Sequence, residues 1–157
     1  MALMYHGTSV VNACSIAEQG FILSPLDVFI EKFKRDREEY PDSNFAGKTD
    51  EDIEQEALEI ILSSYSGREV EYRGKSIALT FSLDTSLSYA TKHPTEGGII
   101  LGLELPFSRA PLCNTIIIPR RQSISSLVEL HVLPAAMSCL ATIKEKFSSY
   151  NHRYILK

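Results

Sequence analysis

At Ile77 the hydrophobic pattern of this chain changes period, and that change limits the folds open to it. Upstream, apolar residues recur at three and four: Leu26, Phe29, Ile30 and Phe33, then Ile53, Ala57, Ile60, Ile61 and Tyr65. Such spacing lays one apolar stripe along a helix. Thr49 followed by Asp52 reads as a capping box opening the second of these helices. Downstream, residues 77–82, 99–105, 115–118 and 127–133 are β-branched or alternating runs bounded by Gly, Pro or Asn, which predicts strands. Helices gathered early and strands late predict an α+β fold. The same order argues against a doubly wound parallel sheet, which needs the two to alternate.

Shorter signals fill in the rest. Leu3-Met4-Tyr5 reads as a strand running into the turn His6-Gly7-Thr8. Ser9 suits the N-cap of a helix through Val10, Ala13, Ile16 and Ala17, stopped at Gly20. A short helix is expected over 85–91, and Pro134 fits the first turn of a last helix carrying Met137, Leu140, Ile143 and Phe147 on one face. The chain has 157 residues, the length of one ordinary domain, with no internal repeat and no linker composition. One domain over 1–157 is expected.

Charge is distributed unevenly within the net −4. Residues 27–72 hold fourteen acidic and six basic side chains, a local −8, while the remainder holds ten basic and six acidic, a local +4. A mildly basic body with an acidic helical insert suits an anionic small ligand, although solvated helix faces give the same pattern. No basic run is dense enough to argue for nucleic acid. The longest apolar runs, such as Ile99-Ile100-Leu101, fall far short of a membrane-spanning helix. The N-terminus shows neither the basic flank nor the apolar stretch of a secretory signal. Cys14, Cys113 and Cys139 are too few and too scattered for a disulfide framework or a zinc site, and His6, His93, His131 and His152 are too dispersed for a metal centre. A cytoplasmic place of action, no metal and no membrane partner are the expectations.

No nucleotide-binding glycine loop, CxxC, HExxH or GxSxG occurs. Three short segments carry the chemistry instead. The first is Tyr5-His6-Gly7-Thr8. The second is Thr80-Phe81-Ser82-Leu83-Asp84, with Ser86-Leu87-Ser88-Tyr89-Ala90 and then Gly97-Gly98-Ile99-Ile100-Leu101 behind it. The third is Ser125-Ser126-Leu127-Val128-Glu129-Leu130, a carboxylate inside an otherwise apolar strand. In this order the segments resemble the ADP-ribosyltransferase family, and more narrowly its histidine–tyrosine–glutamate branch of diphtheria toxin and the poly(ADP-ribose) polymerases.

The resemblance implies a split β-sandwich with helices flanking the early half, NAD+ as co-substrate, and transfer of ADP-ribose to a macromolecular acceptor by a toxin or effector. Nicotinamide leaves the ribose C1′ through a transition state of oxocarbenium character, as in glycoside hydrolysis. By analogy Glu129 binds the ribose 2′-hydroxyl and stabilises the developing charge, against the plainer reading of a strand Glu on a wet face. His6 is implied to hold a ribose hydroxyl with Thr8 supporting its turn, and Gly7 to let backbone approach the carboxamide. Ser82 is implied to donate to that carboxamide. Tyr89 is implied to stack on the nicotinamide ring, against plain packing of a short helix. Relatives carry a further aromatic on the strand before the helix; here that place is Thr80 or Phe81, according to a one-residue register.

Leu127 stands where arginine-specific members carry Glu or Gln, which argues against an arginine acceptor. The same fold implies a second activity, RNA 2′-phosphotransfer, to which Arg120-Arg121 would belong. A third reading is a non-catalytic module binding NAD, ADP-ribose or a protein. The 27–72 insert matches no family element and is read as a lid, a target-recognition surface, or a site for an antitoxin or host protein.

Overall fold

In a computed structural model, the structure describes residues 1–91, 97–108 and 114–156. His93 and Cys113, singled out above, lie outside the described residues. The described chain is mixed α and β. It runs β1 (Ala2–Ser9), α1 (Val10–Gln19), β2 (Phe21–Leu23), α2 (Pro25–Glu39), α3 (Asp50–Ser64), a π-helical turn (Val70–Gly74), β3 (Ser76–Thr80) and α4 (Leu83–Ala90). Then come β4 (Gly98–Leu105), β5 (Thr115–Pro119), β6 (Arg121–Ser123), β7 (Leu127–Val132), a 3-10 turn (Pro134–Cys139), α5 (Leu140–Lys146) and β8 (Arg153–Leu156). Six strands form one sheet in the order β5-β3-β1-β4-β7-β8, and β2 pairs with β6. β1, β4 and their neighbours β3 and β7 pair antiparallel, whereas β8 joins β7 in parallel.

Two compact units emerge from this chain. The first comprises Met1–Ile22, Ala78–Ile116 and Ser123–Lys157; the second comprises Leu23–Ile77 and Ile117–Gln122. The chain thus passes between them within β2, β3, β5 and β6.

The first unit is built around β4, which is buried from Gly98 through Leu103 and therefore covered on both faces. On one face lie Met4, Leu101, Leu103, Leu130 and Val132, all fully buried. Helix α1 packs on β1 and β4, and α5 packs on α1. Both ends of α1 follow the sequence: the Ser9 side chain accepts the Asn12 N–H, and Gly20 takes the left-handed conformation with φ of 80°. The other face is approached by α4, and glycine permits it. A Cβ added at Gly7 would lie 2.0 Å from the Ser86 carbonyl oxygen, and one at Gly98 would lie 2.5 Å from that of Ala90. Helix backbone therefore rests directly on strand backbone there.

The second unit packs α2 against α3 over Leu26, Ile30, Phe33, Ile53, Ala57, Ile61 and Val70. The capping box forms, with Thr49 accepting from the Asp52 N–H and Asp52 accepting from the Thr49 N–H. Buried Asp27 takes a bidentate ion pair from Arg120 at 2.6 and 2.9 Å. Arg120 has φ of 67°, and its carbonyl accepts the Ser24 N–H.

The last predicted helix is divided. Its first turn is 3-10 and leaves Met137 partly exposed, while Ile143 and Phe147 are buried as expected. β2, β6 and β8 are short and carry no clear alternation, so the sequence pattern does not reveal them.

The Gly7–α4 contact generates a test. Gly7→Ala must displace backbone rather than a flexible side chain, so it is expected to lower unfolding stability by about 1–3 kcal/mol, read by denaturant titration.

Candidate functional site

Register decides which predicted residues can meet. Residues directly opposite across a ladder share a face, and successive residues along a strand alternate. Tyr5 pairs with Gly102, Gly102 with Glu129, and Glu129 with Arg153. Thr80 pairs with Tyr5 on the far side. One row across the sheet therefore reads Thr80, Tyr5, Gly102, Glu129, Arg153, all on the face that α4 approaches. Two positions along β7, His131 joins the same face, opposite Ile100.

Gly102 matters to this row. It leaves the space between Tyr5 and Glu129 free of a side chain; a Cβ there would sit 3.0 Å from that of Glu129.

Glu129 is 7 % exposed. Its Oε2 lies 3.0 Å from Nε2 of His131, and its Oε1 accepts from the Arg153 guanidinium. Burial opposes ionisation, but the hydrogen bonds and charges of Arg153 and His131 outweigh it and bring the carboxyl below its usual value. His131 is 3 % exposed, and its ring meets that of Tyr5 edge-on at 5.9 Å. Burial, together with the Glu129 charge, pushes the Tyr5 phenol above its ordinary value, against the opposing effect of Arg153. The Arg153 side chain is 73 % exposed, so the buried carboxylate is closed on one side by an imidazole and on the other by a cation reaching in from solvent.

The remaining predicted residues fall as follows. His6 pairs with Leu101, and Leu101 with Leu130, so His6 stands on the opposite face from Glu129. The two are not brought together. His6 Nδ1 lies 3.3 Å from the Ala78 carbonyl, and burial lowers the ring's pKa against that bond. Thr8 is buried on the His6 face, opposite Ile99. Above Gly7 lies α4, so the close approach that glycine allows there is made by helix backbone.

Thr80, not Phe81, lies in the Tyr5–Glu129 row. The Thr80 hydroxyl donates to the Asn114 carbonyl at 2.9 Å and accepts the Ser82 N–H at 3.0 Å. Phe81 is half-buried and donates its own N–H to Asn114. Ser82 caps α4, its side chain accepting the Thr85 N–H. Tyr89 is 48 % exposed, whereas Ser86 and Ala90 take the buried positions of α4.

Tyr5, His131 and Arg153 were given no role from sequence. The Glu-x-His spacing on an alternating strand is the signal that could have found His131, since residues two apart share a face. Arg153 had no such signal, because it reaches Glu129 through a strand the sequence did not reveal. Among the described residues, no group of three His, Cys, Asp or Glu side chains is placed to hold a metal ion. No helix among them is long and apolar enough to cross a membrane.

No family model matches this sequence, and no curated protein is significantly similar to it.

The Glu129 cluster links stability to pH with a definite sign. A carboxyl whose native pKa is lowered contributes stability above its unfolded pKa, and that contribution is lost as pH falls through the native value. Stability of the wild type is therefore expected to drop on acidification below the usual carboxylate range. Glu129→Gln should flatten that slope by up to one proton's worth, as read by denaturant titrations between about pH 6 and pH 3.

Proposed function

We propose that the protein is an NAD+-dependent mono-ADP-ribosyltransferase of the split β-sandwich type, acting on a macromolecular acceptor as a toxin or effector. The observation that carries this reading is Glu129: a buried, ionised carboxylate in the sheet, beside a glycine gap and beneath an exposed cation. A carboxylate so held suits a ribose 2′-hydroxyl and the positive charge that develops at C1′ as nicotinamide departs.

The other residues fit NAD+ unequally. The exposed Arg153 guanidinium, at the edge of the cluster, suits the dinucleotide's phosphates, and Tyr89 offers an exposed ring for stacking. His6 does not share the Glu129 face. The reading therefore rests on Glu129 and its neighbours rather than on a His6–Glu129 pair. When bound, NAD+ supplies the glycosidic bond that breaks; the chain supplies the carboxylate, its orientation and the protonated Tyr5 phenol beside it.

RNA 2′-phosphotransfer is the weaker alternative, because Arg120, one of the arginines it would use, is committed to Asp27. A non-catalytic module is favoured by one specific observation: both Glu129 oxygens are engaged, as in a structural ion pair. For the insert we propose a basic partner surface, such as an antitoxin or host protein. Helix α3 carries six acidic side chains and no basic one. The place of action proposed is a cytoplasm, its own or a target cell's.

Incubation with NAD+ is expected to release free nicotinamide, and Glu129→Gln to abolish the release. Saturating NAD+ at about 100 Kd should raise stability by about 2.7 kcal/mol. Binding without release in the presence of lysate would support the module, and neither binding nor release would end the NAD+ reading.

A further inference from the structure

We propose that His131 is the positioning residue of Glu129: it anchors Oε2 from within the fold and leaves Oε1 as the oxygen that works on substrate. The proposal deepens the transferase reading and rests on it for its kinetic arm.

The geometry separates the two oxygens. Oε2 meets Nε2 of His131 at 3.0 Å, inside the face, where the ring is 3 % exposed. Oε1 meets Arg153, whose side chain is 73 % exposed on β8, at the edge of the sheet. A partner that reaches in from solvent can be exchanged for a ligand hydroxyl without opening the core. A partner walled in on β7 cannot. Substrate would therefore displace Arg153 from Oε1 while Oε2 stayed fixed.

The pairing also fixes the imidazole. A carboxylate only accepts, so Nε2 must carry the proton it donates. Among the described residues the buried Nδ1 has no hydrogen-bond partner, so the polar contact this ring makes with them is the one to Glu129. An isolated structural histidine would gain more by bonding through both nitrogens.

Among the described residues, the groups facing Glu129 are these. His131 lies on its own strand, Tyr5 faces it from β1 and Arg153 from β8. The intervening β4 presents Gly102 and Ile100 there, and Asp84 and Tyr89 of α4 are exposed.

Three measurements test this. A 15N spectrum of the wild-type ring should show Nε2 protonated, with that signal displaced in Glu129→Gln; an Nδ1–H ring with Nε2 unprotonated would overturn the proposal. His131→Gln can still present an N–H near the Nε2 position, whereas the shorter His131→Asn cannot reach. The Asn variant is expected to lose about 100-fold in kcat for nicotinamide release, the scale of a carboxylate misplaced by an ångström. Its KM for NAD+ should change less, and the acid limb of its pH profile should move to higher pH. The Gln variant should recover most of the kcat.

Titration of the Glu129 carboxyl by 13C NMR should show the same upward shift in the Asn variant without any turnover. Absence of nicotinamide release from the wild type would remove the transferase reading and leave the pairing standing. An unshifted carboxyl, or equal kcat in the Asn and Gln variants, would remove the positioning role.

Discussion

A buried carboxylate must be either protonated or paired, and much of the first unit follows from how Glu129 is paired. Its hydrogen bonds to His131 and Arg153 favour the charged form more than burial disfavours it. Arg153 can make its contact only because β8 lies parallel to β7 with Arg153 opposite Glu129. The short last strand is therefore tied to the sheet by a charge as well as by its ladder. Toward β1, burial and the same carboxylate raise the Tyr5 phenol above its ordinary value. Gly102 is what lets these groups share one row: any larger residue between Tyr5 and Glu129 would divide them.

Helix α4 imposes the second constraint. It rests on Gly7 and Gly98 with backbone against backbone, and this close seat directs Ser86 and Ala90 inward while Tyr89 stays outside. An aromatic ring is thereby presented at the surface of the unit that holds Glu129.

Much of this was legible in the sequence, and the rest failed for identifiable reasons. Helix periodicity, the Ser9 cap, the Gly20 stop and the Thr49–Asp52 box are local signals, and each takes the form that local physics dictates. The four strand runs also appear close to their expected bounds. β2, β6 and β8 are three or four residues long, too short for an alternating pattern to stand out. The candidate site divides along the same line. Glu129 stands out in the sequence because a carboxylate interrupts an apolar run, whereas His131 enters the site only through the register of β7 and its bond to Glu129. The phase between β1 and β7 is different. It passes through β4, and no sequence pattern fixes which residue of β4 opposes Tyr5. Hence His6 and Tyr5, adjacent in the chain, could not be assigned to faces, and the structure gives the Glu129 face to Tyr5.

The energetics of burial bear on why a charge stands in this sheet at all. Replacing a buried ion pair by apolar side chains of similar volume is often neutral or stabilising, because desolvation offsets the Coulombic gain. Leu127, Leu130 and Val132 already pack the same strand without polar groups. A chain that needed only a stable sheet would gain little from Glu129, His131 and Arg153, each of which must be desolvated or ordered to make its contact. Their arrangement does achieve something that apolar residues cannot. It holds one carboxylate ionised in a sheltered place, one oxygen against the buried His131 ring and the other against the exposed Arg153 side chain. That is the property the proposed chemistry requires: negative charge fixed in advance where positive charge will form, without reorganisation at the moment of reaction.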